Sequence, residues 1–124
     1  MANLKETIVA CVLVTFSLVP SANAGPKDPE WNPPSRYDHT YSGKMVVHRV
    51  PVGQVDEACI SLYTKHDRLS WRWQVKATQH GCSFVQGSVC EVVIPTGPIM
   101  KATPIAILRH ETGHCNGWGG KHEE

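Results

Sequence analysis

The sequence predicts an α+β domain: a small antiparallel sheet with helices on one face and a metal-binding helix at the C-terminus. Three observations lead there. Apolar residues recur at helical spacing in two stretches, 52–63 and 104–115. Runs rich in β-branched residues, or alternating in polarity, occupy 44–50, 70–77, 82–85 and 89–94. The last three of these runs follow one another without an intervening helix, which favours antiparallel neighbours.

The first 24 residues read as a signal peptide. Lys5 supplies the positive charge, residues 8–19 the apolar stretch, and Ser21-Ala22-Asn23-Ala24 a small-residue cleavage site after Ala24. The apolar stretch falls short of the roughly 20 residues that a membrane span needs. The mature chain is then exported to a periplasm or the extracellular space, with no stable membrane association. Residues 25–43 hold Pro26, Pro29, Pro33 and Pro34 and read as an extended, solvated arm. A sharper alternative makes the arm an inhibitory strap, with Asp38 or His39 on a metal.

The domain proper is 44–124. Residues 44–50 form a strand that Pro51 ends. Val52, Val55, Cys59 and Leu62 give the next helix, 52–63, its core-facing stripe. In 70–77, Trp71, Trp73, Val75 and Ala77 alternate with Arg72, Gln74 and Lys76, so the tryptophans belong to the buried face of a strand. Residues 82–85 and 89–94 make a hairpin around Gln86-Gly87-Ser88.

The last helix has its start and stop written beside it. Thr103 suits the N-cap and Pro104 the first helical position. Asn116-Gly117 suits the stop, with Trp118 packing back on the final turn. Ile105, Leu108, Thr112 and Cys115 form the expected core stripe, and Ile107, His110, Glu111 and His114 the opposing one.

That opposing stripe carries H-E-x-x-H. Two histidines four apart on a helix can reach one ion, and Glu111 between them can take a proton from a water on it. Zinc suits the set. Catalytic zinc usually takes three protein ligands and leaves a position for water. Only ten residues follow His114, too few for a ligand from a distant downstream helix. The pattern H-E-x-x-H-x-x-G-x-x-H would need His at 120, which is Gly120. His122 is the expected third ligand, since Gly119-Gly120 lets the chain fold back. Glu123, His80 and His66 are the alternatives. His48, like His66 and His80, reads more simply as a surface or hydrogen-bonded histidine. Glu111 is then the general base of a zinc-assisted hydrolysis. Tyr63, His80 and Arg109 are candidate donors to a developing oxyanion.

Composition narrows the partners. Net charge is +1 with no basic block, so nucleic-acid binding gains no support. Of five cysteines, Cys59, Cys82, Cys90 and Cys115 remain after cleavage, an even number fit for two disulfides in an exported domain. Equal parity on adjacent strands favours Cys82–Cys90, leaving Cys59–Cys115.

His110 to Trp118, H-E-x-G-H-C-N-G-W, followed by His122, resembles a group of small HExxH zincin-like metalloproteins of bacteria and phages. The resemblance runs more thinly upstream through V-x-R-V-P (Val47 to Pro51), Cys59, G-C-S-F (Gly81 to Phe84) and C-E-V-V-I-P (Cys90 to Pro95). It implies a minimal zincin-like layout, with a sheet edge above the metal helix, for which 89–94 is the candidate strand and where a peptide could add by strand pairing, and a metallopeptidase acting on a peptide or protein. Neither the substrate nor the oligomeric state follows from it. A non-catalytic exported zinc-binding or interaction protein is the competing expectation.

Overall fold

The computed structural model describes residues 31–66 and 79–122. The signal peptide, the beginning of the arm, the 70–77 strand with Trp71 and Trp73, and Glu123 lie outside the described residues. Strand β1 is Lys44–Val50; after a single 3-10 turn, Val52–Gln54, comes helix α1, Val55–Lys65. Strands β2, Cys82–Gln86, and β3, Val89–Pro95, follow, then helix α2, Pro104–Cys115.

The architecture is α+β, but the sheet is mixed. Its order is β1-β3-β2, with β1 parallel to β3 and β2 antiparallel to it. The expected edge strand, β3, is therefore the centre of the described sheet. It hydrogen-bonds on both sides, so it cannot receive a peptide. The helix between β1 and the hairpin carries the chain back across the sheet, which makes the parallel pairing possible.

The helices lie on opposite faces, not on one. Successive side chains of β3 alternate between faces. Cys90, Val92 and Ile94 pack with Ile107 and Cys115 of α2, whereas Val93 packs with Val55, Cys59 and Leu62 of α1. A strand buried on both faces reads as a continuous apolar run, as Val92, Val93 and Ile94 do.

The disulfides follow the same division. They are Cys59–Cys82 and Cys90–Cys115, not the pairing expected from parity. The reason is one residue of loop. Gln86 pairs with Val89, so the hairpin has a two-residue turn, and Cys82 sits opposite Val93 while Cys90 sits opposite Val85. A change of one position in register exchanges the faces. Cys82 thus meets α1, and Cys90 meets α2.

Two helix stripes also differ from expectation. Val52 falls in the 3-10 turn and is 43% exposed. In α2 the sheet-facing stripe is Ile107, Glu111 and Cys115, at four-residue intervals. Ile105, expected in the core, is 61% exposed. The caps match the sequence reading. The Thr103 hydroxyl accepts from the Ala106 amide at 3.2 Å. At the other end, Trp118 N donates to Gly113 O and Gly117 N to His114 O, both at 3.0 Å, with Gly117 at φ 104. This is the Schellman closure.

Candidate metal centre

The closure of α2 is what builds the centre. It folds Trp118 back over the last turn, where its ring stacks on His114 with centroids 4.9 Å apart. The chain then turns through Gly119–His122, with His122 N donating to Gly119 O at 2.9 Å and His122 itself left-handed at φ 57. Histidine adopts that conformation more readily than bulky branched residues. The turn brings the His122 ring to 5.1 Å from His114 and 4.9 Å from His110.

Three imidazoles converge. His114 Nε2 lies 3.2 Å from His110 Nε2 and 3.2 Å from His122 Nε2. One ligand nitrogen from each of the three lies within 4.8 Å of the others. Ligands of a tetrahedral zinc are about 3.3 Å apart when their bonds are 2.0–2.1 Å long, so the two short separations are of the size a metal requires.

The opposite edges of two rings are held by carbonyls. His110 Nδ1 donates to Trp31 O at 3.1 Å, and His114 Nδ1 donates to Trp118 O at 2.8 Å. A carbonyl can only accept, so each Nδ1 carries the proton and each Nε2 turns a lone pair toward the cluster. Metal-ligating histidines are commonly oriented this way. Burial, then the neighbouring His114, lowers the pKa of His110 to about 4, and burial lowers that of His114. Both are neutral and able to ligate at pH 7. The donor set fits a divalent cation. His110 is buried, while His114 and His122 are half-buried, so the cluster reaches solvent on their side.

Comparison with protein-family models, curated proteins and solved structures finds no match. Function must be read from the site itself.

Glu111 belongs to the sheet-facing stripe of α2 and is 6% exposed. The Ser83 hydroxyl of β2 donates to its Oε2 at 2.8 Å. Burial pushes its pKa up to about 7, against the pull of that hydroxyl. It forms no ion pair among the described residues.

The other candidates divide clearly. His80 sits beside the cluster: its ring meets Trp31 edge-on at 4.4 Å, and its charge contributes to lowering the pKa of His110. Arg109 is engaged by Asp38 through two hydrogen bonds, one of them Nε to Oδ1 at 2.8 Å. Tyr63 lies on α1 and packs against the core of that face. Burial and the charge of Glu111 push its pKa to about 12. His48 and His66 lie around Glu91, away from the cluster.

The described part of the arm is not the solvated segment expected. Residues 31–41 pack along α2, with Pro33 against Gly113. Nor does it reach the metal ligands through Asp38 or His39: Asp38 pairs with Arg109, and His39 Nδ1 bonds to Thr40 O. Trp31 and Ser83 had no local signal in the sequence. Each acts across the fold, one by a backbone carbonyl and the other by a hydroxyl on a strand. Trp118 was legible as a helix-stop residue, but not as the carbonyl that orients His114.

Proposed function

We propose that the protein is an exported, zinc-dependent hydrolase of peptide-like bonds, of the HExxH metallopeptidase kind that the H-E-x-G-H-C-N-G-W stretch resembles. The observation that carries this reading is the convergence of three Nε2 atoms, two of them oriented by carbonyls and borne by the helix that also carries a buried carboxylate. Two disulfides are compatible with an oxidising compartment. Among the described residues no helix is long and apolar enough to cross a membrane.

His110, His114 and His122 would hold zinc, which when bound supplies a Lewis acid for a water and a carbonyl. The carbonyls of Trp31 and Trp118 keep the His110 and His114 rings in the ligating tautomer. Glu111 accepts the proton of the attacking water and passes it to the leaving nitrogen. A pKa near 7 suits both halves of that task. Ser83 holds the carboxylate in one rotamer. His80, beside the cluster, donates to the oxygen on which charge develops.

A non-catalytic zinc-binding protein is the second reading, favoured by the burial of Glu111 and its bond to Ser83. One experiment separates the two. Zinc content and hydrolysis of a mixed peptide library are measured on the mature protein and on Glu111→Gln. The hydrolase reading expects one zinc per chain in both and at least a hundredfold loss of turnover in the variant. No turnover in the wild type, with zinc bound, favours the second reading; unchanged turnover in the variant removes Glu111 as the base.

A further inference from the structure

His110 is the most buried of the three ligands, and its tautomer depends on a carbonyl outside the HExxH segment. That carbonyl, of Trp31, has no covalent reason to be there. It belongs to the strap 31–41, which is held along α2 by contacts that do not involve the imidazole nitrogens.

Those contacts are specific. A turn closed by Tyr37 N and Asp38 N on Pro34 O, at 2.8 and 3.1 Å, presents Asp38 to Arg109. The carboxylate takes two hydrogen bonds from the guanidinium, the planar fork that fixes direction as well as distance. The Asn116 amide donates to Tyr37 O at 2.8 Å and to His39 O at 2.6 Å. Pro33 lies where a side chain on Gly113 would stand, with its Cγ 2.6 Å from the place of a Cβ. Between these anchors and the cluster, the Trp31 ring packs on His80 and His110, at 4.4 and 5.0 Å.

We propose that Asp38 and Asn116 are positioning residues of the metal centre, acting through the strap, so that strap docking and metal binding reinforce each other. The proposal rests on the metal-binding half of the function above and not on hydrolysis. With the strap docked, His110 Nδ1 keeps its acceptor and Nε2 stays aimed at the ion. With the strap released, His110 gains water and rotational freedom and loses affinity. Linkage then requires that the metal hold the strap down by the same factor by which the strap tightens the metal.

Two measurements test this on the mature chain. Zinc and cobalt dissociation constants are determined by chelator competition for the wild type, Asp38→Ala, Asp38→Glu and Asn116→Ala. The measurements are made at temperatures where each metal-free variant is folded by circular dichroism. Loss of an outer partner of a ligating histidine typically weakens metal binding 10–100-fold. The expectation is about tenfold for Asp38→Ala and Asn116→Ala, with partial recovery in Asp38→Glu. The second measurement needs no substitution. Trypsin cleavage after the exposed Arg36 is followed by mass spectrometry with zinc and with chelator, against cleavage after Lys65 on α1 as the measure of global opening. Zinc should slow the Arg36 cut several-fold more than the Lys65 cut.

Equal dissociation constants in all variants, or equal protection at both sites, would overturn the proposal while leaving the metal centre standing. A wild type that binds neither metal overturns both. A variant that lowers only the melting temperature, with its dissociation constant unchanged, assigns the strap a purely structural role and also overturns the proposal.

Discussion

Ser83 and Glu111 meet across the gap between sheet and helix, the hydroxyl 2.8 Å from Oε2. The contact joins β2 to the residue between the two candidate ligands of α2. Ser83 lies opposite Val92, on the face of the sheet that α2 covers, so its side chain is directed at the helix by the strand's alternation.

Removing that hydroxyl tests whether Glu111 works as a base. A hydrogen bond to a charged group contributes about 1.5–3 kcal/mol, and about 1.4 kcal/mol is tenfold in rate. Ser83→Ala is expected to lower turnover at least tenfold with zinc content unchanged, and Ser83→Thr to retain most of it. Steady-state kinetics beside metal analysis checks this. Unchanged turnover in Ser83→Ala would remove Glu111's orientation from the account.

Of the three candidate ligands, His122 comes last in the chain and lies outside α2. His122→Ala should lower zinc affinity by two orders of magnitude or more, about 2.7 kcal/mol. The helix is expected to survive, because its caps do not involve residue 122. Competition with a chromophoric chelator gives the affinity, and circular dichroism gives the helix. Zinc held as tightly by the variant would show that the third ligand lies elsewhere.

The two disulfides differ in what they hold. Each closes a loop of similar size, 23 and 25 residues in separation, so the chain-entropy estimate for each is about 3 kcal/mol. Cys115 follows His114 directly, while Cys59 and Cys82 serve the face of α1. Replacing Cys90 and Cys115 by serine should weaken zinc binding as well as lower the melting temperature. Replacing Cys59 and Cys82 should lower the melting temperature by a similar amount with a smaller effect on zinc. Calorimetry and zinc titration on both double variants check the split. The reverse pattern would place the metal centre's support on the other face.

Glu91 governs part of the acid response. Lys65 Nζ bonds to it at 2.7 Å and His48 Nε2 at 3.1 Å, and these bonds lower its pKa to about 2 from an ordinary 4.5. A depressed carboxyl binds fewer protons folded than unfolded, so its contribution is complete above 4.5 and disappears as pH falls toward 2. Melting temperatures of wild type and Glu91→Gln should differ most above about pH 5 and draw together at about pH 2.5. A constant difference across that range would mean that the carboxylate's charge is not what matters.

Helix α2, its Thr103 cap, its Gly117 stop and the common direction of His110 and His114 were determined by residue order alone, and His122 was reachable because two glycines precede it. Their causes lie within a few positions of one another, where spacing and backbone preference suffice. The faces of the sheet, the cysteine partners, the burial of Glu111 and the strap were decided by the tertiary structure. A single residue of hairpin loop reversed which cysteines meet, and the carbonyl that orients His110 comes from 79 positions away. No local pattern encodes either. Strand register and long-range packing are settled collectively, when both helices compete for the two faces of β3.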